Sequence, residues 1–217
     1  MTITAVFWDF GGVLTTSPFE NFRRYEEQHG LPRDFLRTIN ATNPDTNAWA
    51  RFERSELSLE AFDQAFAEES AAAGHRVPGR DVIDLLSGQL RPEMVTALRR
   101  IREKFRIACI TNNVRAGEGP GMQPDAERAR KIAEVMADFE HVVESSRLGL
   151  RKPDPRIYRH TCELMGVAPD EVVYLDDLGV NLKPARQLGM TTIKVSDPRA
   201  ALAELEQVLN IPLLRQE

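Results

Sequence analysis

A short apolar run, Ala5–Trp8, ends on a carboxylate, Asp9, and a glycine pair, Gly11 and Gly12, follows close behind. The run is continuous rather than alternating, so it reads as a parallel strand buried on both faces. Open α/β sheets gather their ligand sites at the carboxyl ends of strands, which is where Asp9 falls. Gly11 and Gly12 permit a sharp turn and a close backbone approach to whatever Asp9 holds. A carboxylate beside backbone carbonyls suits a hard cation such as Mg²⁺, or it can act as a nucleophile. The same stretch also fits an ordinary strand-ending Asp in a glycine turn, and taken alone it leaves these readings open.

Similar runs recur later. RIACI, 106–110, ends on Thr111-Asn112-Asn113, and EVVYL, 171–175, ends on Asp176-Asp177. HVVES, 141–145, and TTIKV, 191–195, complete the set of expected strands. Helical patterns lie between them: Arg91–Lys104, about 125–137, a helix after Pro155, about 179–188, and about 198–209. A Gly/Pro-rich stretch, 116–125, reads as a mobile loop. Strand and helix in this order predict an α/β fold, a Rossmann-like doubly wound parallel sheet.

Residues 17–90 have a different character, with helical periodicity and no convincing strand. Ser17-Pro18 opens a helix to about His29, Pro32–Asn40 reads as a second, and Ser58 caps a third that runs into the Ala-rich 65–73. We expect a helical cap over 17–90, inserted after the first strand motif, with 1–16 and 91–217 forming the core. The plainer reading is one more helical layer on the sheet. Trp49, Phe52, Phe62 and Phe66 are expected in the core, and Arg51 and Arg54 in solvent.

Charge and composition exclude several classes. A net charge of −5 without a long basic run argues against nucleic-acid binding. No apolar run approaches the roughly 20 residues of a membrane span, and the first residues lack the pattern of a secretory signal. Cys109 and Cys162 are unclustered, which fits a reducing cytoplasm. His29, His75, His141 and His160 have no zinc-site spacing.

The chemistry lies in what ends the strands. Asp9, Thr111 and Asp176-Asp177 all follow apolar runs, and Lys152 sits in a turn between two of them. In a parallel sheet those ends face one way, so the groups can converge. A carboxylate nucleophile, a hydroxyl, a lysine and an acidic pair suit phosphoryl transfer. Asp9 must approach a dianion, and Mg²⁺ held by Asp9 and an acidic partner offsets the repulsion. Lys152 neutralises Asp9 and phosphate oxygens, and Thr111 with nearby backbone N–H groups holds the transferring group. Singly, each has a plainer role: Thr111 a turn former, Lys152 a solvated lysine, Asp177 a helix cap, Asn181 a helix-surface residue.

The stretches DFGGVLT, ITNN, LRKPDPRIY and YLDDLGVNLKPARQLGM together resemble the haloacid dehalogenase superfamily of aspartyl-phosphate hydrolases. The last block, with WARFERSEL, is most similar to the N-terminal phosphatase domain of soluble epoxide hydrolase and its bacterial stand-alone relatives. The resemblance implies Asp9 as nucleophile and Mg²⁺ ligand, with the Gly11 carbonyl as a second ligand. It implies Asp177 as a direct ligand, Asp176 as support through water, and Asn181 as the residue ordering that loop. Gly12, Thr111, the backbone around Asn112 and Lys152 would bind the phosphate of a small phosphorylated substrate.

One position departs from the pattern. Family phosphatases usually carry a second Asp two residues after the nucleophile, which protonates the leaving oxygen and later activates water. Here that residue is Gly11. General acid–base catalysis contributes about 10²–10⁴-fold. The expected activity is therefore a Mg²⁺-dependent phosphatase, slow on alkyl esters. Two alternatives stand beside it: a pseudo-phosphatase that binds phosphate and Mg²⁺ without turnover, and a 2-haloacid dehalogenase, which shares the missing Asp but uses no metal.

Overall fold

The computed structural model describes residues 2–113 and 126–213. Five strands form one parallel sheet: β1 (Ala5–Trp8), β2 (Arg106–Thr111), β3 (His141–Glu144), β4 (Val172–Asp176) and β5 (Thr191–Lys194), in the order β3-β2-β1-β4-β5. The expected doubly wound sheet is the fold the chain adopts. β1 lies at its centre, between β2 and β4. Strand order reverses there, and crevices for ligands form at such reversals, outside the carboxyl ends. Asp9 stands at that point, with its N–H donating to Leu175 O at 2.8 Å.

The continuous apolar character of β1 follows from its two buried faces. Val6 and Trp8 face a layer made by α6 (Pro92–Ile101), α7 (Ala126–Met136) and α11 (Pro198–Leu209), meeting Met94, Leu98, Ile132 and Leu205 among others. Ala5 and Phe7 face the opposite layer, α9 (Pro155–Met165) and α10 (Gly179–Gln187), with Ile157, Tyr158, Met165 and Leu182. Period-two alternation sends successive residues to different cores, so each must be apolar.

The helical stretch before the second strand contains α1 (Pro18–Gln28), α2 (Phe35–Ala41), α3 (Ala48–Glu53), α4 (Leu59–Ala72) and α5 (Gly79–Asp84). Ser17 and Ser58 cap α1 and α4 through their side chains, as their spacing predicts. These helices bury a third apolar cluster, separate from the two that flank the sheet. Phe52, Phe62 and Phe66 lie inside it and Trp49 packs against it. Phe62 stacks on Phe52 at 4.4 Å between centroids and meets Trp49 edge-on at 5.7 Å. The chain enters and leaves this stretch side by side: Thr15 and Leu90 form an antiparallel bridge, Thr16 N–H donates to Gln89 O at 2.8 Å, and Arg91 N–H donates to Leu14 O at 2.8 Å. Gly88 fits because a Cβ there would sit 2.6 Å from Thr16 O.

Several boundaries differ from the sequence reading. Ser145 was expected to end a strand but opens a short helix, α8 (Ser145–Leu148), because Asn113 engages its hydroxyl. Glu171 belongs to a 3₁₀ turn, Pro169–Glu171, ahead of β4. Arg54 is half-buried and pairs with Glu56 through two hydrogen bonds, whereas Arg51 is exposed as expected. The glycine-rich stretch 116–125 lies outside the described residues.

Replacing the central ring of the third cluster, Phe62→Ala, is expected to lower the unfolding free energy by about 3–5 kcal/mol. Urea denaturation followed by circular dichroism measures it. A loss under about 1 kcal/mol would mean the cluster repacks around the void.

Candidate active site

Four ionisable side chains meet at the carboxyl edge of the sheet. Lys152 Nζ lies 2.7 Å from Asp9 Oδ1 and 2.9 Å from Asp176 Oδ2. Its side chain is only 1% exposed. Carboxylate oxygens of Asp9, Asp176 and Asp177 all lie within 4.8 Å of one another. Full ionisation would give three negative charges against one positive charge in a buried setting, and the electrostatics follow from that imbalance.

Each element delivers its group for a local reason. Asp9 and Asp176 lie where β1 and β4 end, so the parallel register brings them together. Lys152 arrives on the turn between α8 and α9. Its backbone is clamped by the Asn112 side chain, which donates from Nδ2 to Lys152 O at 3.0 Å and accepts from Lys152 N–H at 2.8 Å. The Asn112 side-chain amide is thus occupied by the lysine turn. Thr111 ends β2 and is buried; among the described residues none is hydrogen-bonded to its hydroxyl.

Asp176 is saturated. Its Oδ1 accepts from Leu178 N–H at 2.8 Å and from Asn181 Nδ2 at 3.0 Å. Its Oδ2 accepts from Lys152 Nζ, from Asn181 Nδ2 at 3.1 Å and from the Tyr174 hydroxyl. Asn181 in turn accepts the Tyr158 hydroxyl at its carbonyl, 2.8 Å away. Asp9 differs. Its contacts among the described residues, Phe10 N–H at 2.6 Å and Lys152 Nζ, both fall on Oδ1.

Burial pushes the Asp9 carboxyl well above the usual carboxylate range; Lys152 opposes this, while Asp176 and Asp177 add to it. Burial, then Asp176, raises Asp177 to about 6. For Lys152, burial alone favours the neutral amine, but Asp176 and Asp9 override it and hold the ammonium. The centre keeps one firmly held cation and surplus acidic groups that need another positive partner.

A divalent cation fits that surplus. The donors are hard oxygens, as Mg²⁺ requires. Asp177 is not a helix cap: α10 is capped at Leu178 without a side-chain bond. Instead its carboxylate leans against the Gly12 backbone, so that a Cβ on Gly12 would lie 2.2 Å from Asp177 Oδ2. Gly12 also has φ +79°, where glycine is favoured. Gly11, by contrast, faces open space: a Cβ there meets nothing within 4 Å.

The structure thus brings Asp9, Thr111, Lys152, Asp176, Asp177 and Asn181 to one edge. It adds two residues that the sequence reading passed over. Tyr174 shares a strand face with Asp176, a period-two signal present in the YLD triplet. Asn113 joins β2 to α8: its Nδ2 donates to Glu144 Oε1 at 2.7 Å, and its Oδ1 accepts from Ser146 N–H at 3.2 Å.

The comparisons with known proteins agree with this geometry. A family model described as haloacid dehalogenase-like hydrolase matches residues 3–189. Acyl-CoA dehydrogenase family member 10 of Mus musculus is 35% identical over 96% of this chain and 19% of its own length. Bifunctional epoxide hydrolase 2 of Sus scrofa is 32% identical over 99% of this chain and 40% of its own. The chain therefore spans under half of these two relatives. A sesquiterpene phosphatase, astK of Aspergillus oryzae, is 26% identical over 96% of this chain and 97% of its own. Among solved structures, a Bacteroides thetaiotaomicron enzyme of the same superfamily, in complex with magnesium and inorganic phosphate, superposes with TM-score 0.58 at 20% identity, covering 88% of this chain and 93% of that one. With a buried Asp-Lys-Asp centre on the reversal point of a parallel sheet and a family match over most of its length, the chain belongs to the haloacid dehalogenase-like hydrolases.

Proposed function

We propose that the chain is a Mg²⁺-dependent phosphatase that hydrolyses small phosphate monoesters through an aspartyl phosphate on Asp9. The observation that carries this reading is the Lys152 ammonium shared by Asp9 and Asp176, with Asp177 beside them. Asp9, Asp177 and the Gly11 carbonyl would hold the metal, with Asp176 behind them. Bound there, Mg²⁺ supplies the positive charge that lets two anions approach.

The chain's own groups do the rest. Oδ1 of Asp9 is occupied by Lys152 and the Phe10 N–H, so Oδ2 is the attacking oxygen. It forms a bond to phosphorus as the ester P–O bond breaks, and the leaving oxygen departs as an anion that takes its proton from solvent. Water then attacks phosphorus, releasing inorganic phosphate and restoring the Asp9 carboxylate. Lys152 balances charge at Asp9 throughout, and the Thr111 hydroxyl with the Asn112 backbone N–H holds the phosphoryl oxygens. The helical stretch 17–90 acts as the cap over this edge. Gly11 brings no acid, so the leaving group must depart largely on its own stability. The same glycine favours one other reading, a phosphate- and Mg²⁺-binding module without turnover. The acidic pair 176–177 disfavours metal-free dehalogenation, because it would repel an anionic substrate at Asp9.

Phosphate release from an aryl phosphate should require Mg²⁺ and disappear in Asp9→Asn; metal-independent release, or release that survives Asp9→Asn, would rule out the mechanism. Phosphate binding without turnover in the wild type would point to the binding module.

Gly11→Asp has room for its side chain and is expected to raise kcat on alkyl phosphates by about 10²-fold or more, with a smaller gain on aryl esters. A folded variant with no gain on alkyl esters would show that proton supply does not limit the wild type.

Stability should depend on pH through Asp177. Its folded pKa of about 6 lies above the ordinary value, so its stabilising contribution is complete at acid pH and is lost as pH rises through about 6. Metal-free protein should therefore melt lower at pH 8 than this group would allow at pH 5. Mg²⁺ should raise Tm more at pH 8, because it binds the ionised form. Asp177→Asn should reduce both effects in a melting series, and the part that remains belongs to Asp9, whose carboxyl is also held above the usual range.

A further inference from the structure

The helical stretch meets the site loops at a place that the chemistry above does not use. The C-terminal end of α3 carries Glu53, and Ser55 follows just beyond it. Arg151 Nε lies 2.6 Å from Glu53 Oε2, and both side chains are largely buried. Neither atom makes an aligned hydrogen bond, so the contact is charge against charge. Burial pushes the Glu53 carboxyl up and Arg151 is the strongest group pulling it back. Arg151 Nη1 also donates to Pro44 O at 2.8 Å. Ser55 Oγ donates to Ser146 O at 2.8 Å while its backbone holds φ +60°, a left-handed conformation that favours glycine.

Both landing points are wired to the catalytic edge. Arg151 directly precedes Lys152, whose N–H and carbonyl are held by the Asn112 side chain. Ser146 donates its N–H to Asn113 Oδ1, and Ser145 Oγ exchanges hydrogen bonds with the Asn113 backbone. Each contact from α3 therefore falls on a segment bound by one of the two asparagines that follow Thr111. The seam itself is polar. The apolar clusters on its two sides stay separate. A cavity of about 510 Å³ lies along it, lined by Asp45, Arg54, Arg151 and residues 153–156.

We propose that Glu53 and Ser55 are positioning residues: by docking on Arg151 and Ser146 they fix the turns on which Lys152 and Thr111 are carried. A helix in the 17–90 stretch thereby sets the height of Lys152 Nζ between Asp9 and Asp176. The placement is independent of the reaction, and its effect on turnover rests on the phosphatase reading.

Lys152 accessibility reports the placement directly. The full chain and its Glu53→Gln, Glu53→Asp and Ser55→Gly variants are treated with acetic anhydride, and acetylation is followed peptide by peptide by mass spectrometry. Ser55→Gly deletes the hydrogen bond while relieving the left-handed serine, so it keeps the fold. Lys131, exposed on α7, calibrates the reagent, and iodoacetamide labelling of buried Cys109 and Cys162 reports general unfolding. Expected is a rise in Lys152 acetylation of about tenfold in Glu53→Gln, as local opening allows, and a smaller rise in Ser55→Gly. Glu53→Asp, which keeps the charge, should stay nearer the wild type, and both cysteines should remain protected. Turnover of p-nitrophenyl phosphate should lose kcat in step with Lys152 labelling, with KM changing less. Unchanged Lys152 labelling in Glu53→Gln and Ser55→Gly overturns the proposal, as does cysteine labelling that rises in parallel. If the wild type releases no phosphate yet Lys152 labelling responds, the phosphatase reading fails and the positioning role stands.

Discussion

A buried ammonium between two buried carboxylates organises this molecule. Removing such charges from water costs several kcal/mol per ion, and the cost is repaid only where every lone pair and proton finds a partner. Asp176 meets that demand in full, through Lys152, Tyr174 from the same strand, Asn181 from α10 and Leu178 N–H from the turn between them, while Asp9 meets it at Oδ1 alone, through Lys152 and Phe10 N–H. The Asn112 side chain fixes the backbone that carries the lysine. Geometry held from so many directions cannot relax when charge moves, which is what electrostatic preorganisation requires. Asp177 is left outside that hydrogen-bonded set, and burial, then the neighbouring Asp176, raises its carboxyl above the usual range.

The sheet explains why these groups meet at all. β1 is buried on both faces by two apolar layers, and a strand so enclosed leaves only its ends for chemistry. The reversal of strand order at β1 opens a crevice beside Asp9. Parallel register then aligns the ends of β2 and β4 with it. The glycines divide the remaining space: Gly12 lets Asp177 close in, while Gly11 leaves a gap where a side chain would fit.

Much of this was legible in the residues. Continuous apolar runs are the mark of strands buried on both faces, and the groups that ended them were the groups that converged. The aromatic residues of 49–66 read as core because their spacing is helical, and they bury the third cluster. Other features were not legible. α5 and α8 span six and four residues, too short for a helical period to register. Arg151 and Glu53 each resemble an ordinary surface charge, and only the tertiary fold brings them together from distant parts of the chain. HVVES, 141–145, reads as a strand through Ser145, yet a hydroxyl bonded to Asn113 turns the backbone there. Local propensity lost to a long-range hydrogen bond.

The paired segments at Thr15–Leu90 carry a consequence for how such chains diversify. The excursion from 17 to 90 leaves the sheet and returns to it through neighbouring residues. Closing a loop costs free energy that grows only with the logarithm of its length. A stretch anchored in this way can lengthen, shrink or be exchanged for another with little penalty to the strands beneath. Drift in the excursion is then filtered at a few docking points, Glu53 and Ser55 among them, and otherwise leaves the sheet untouched.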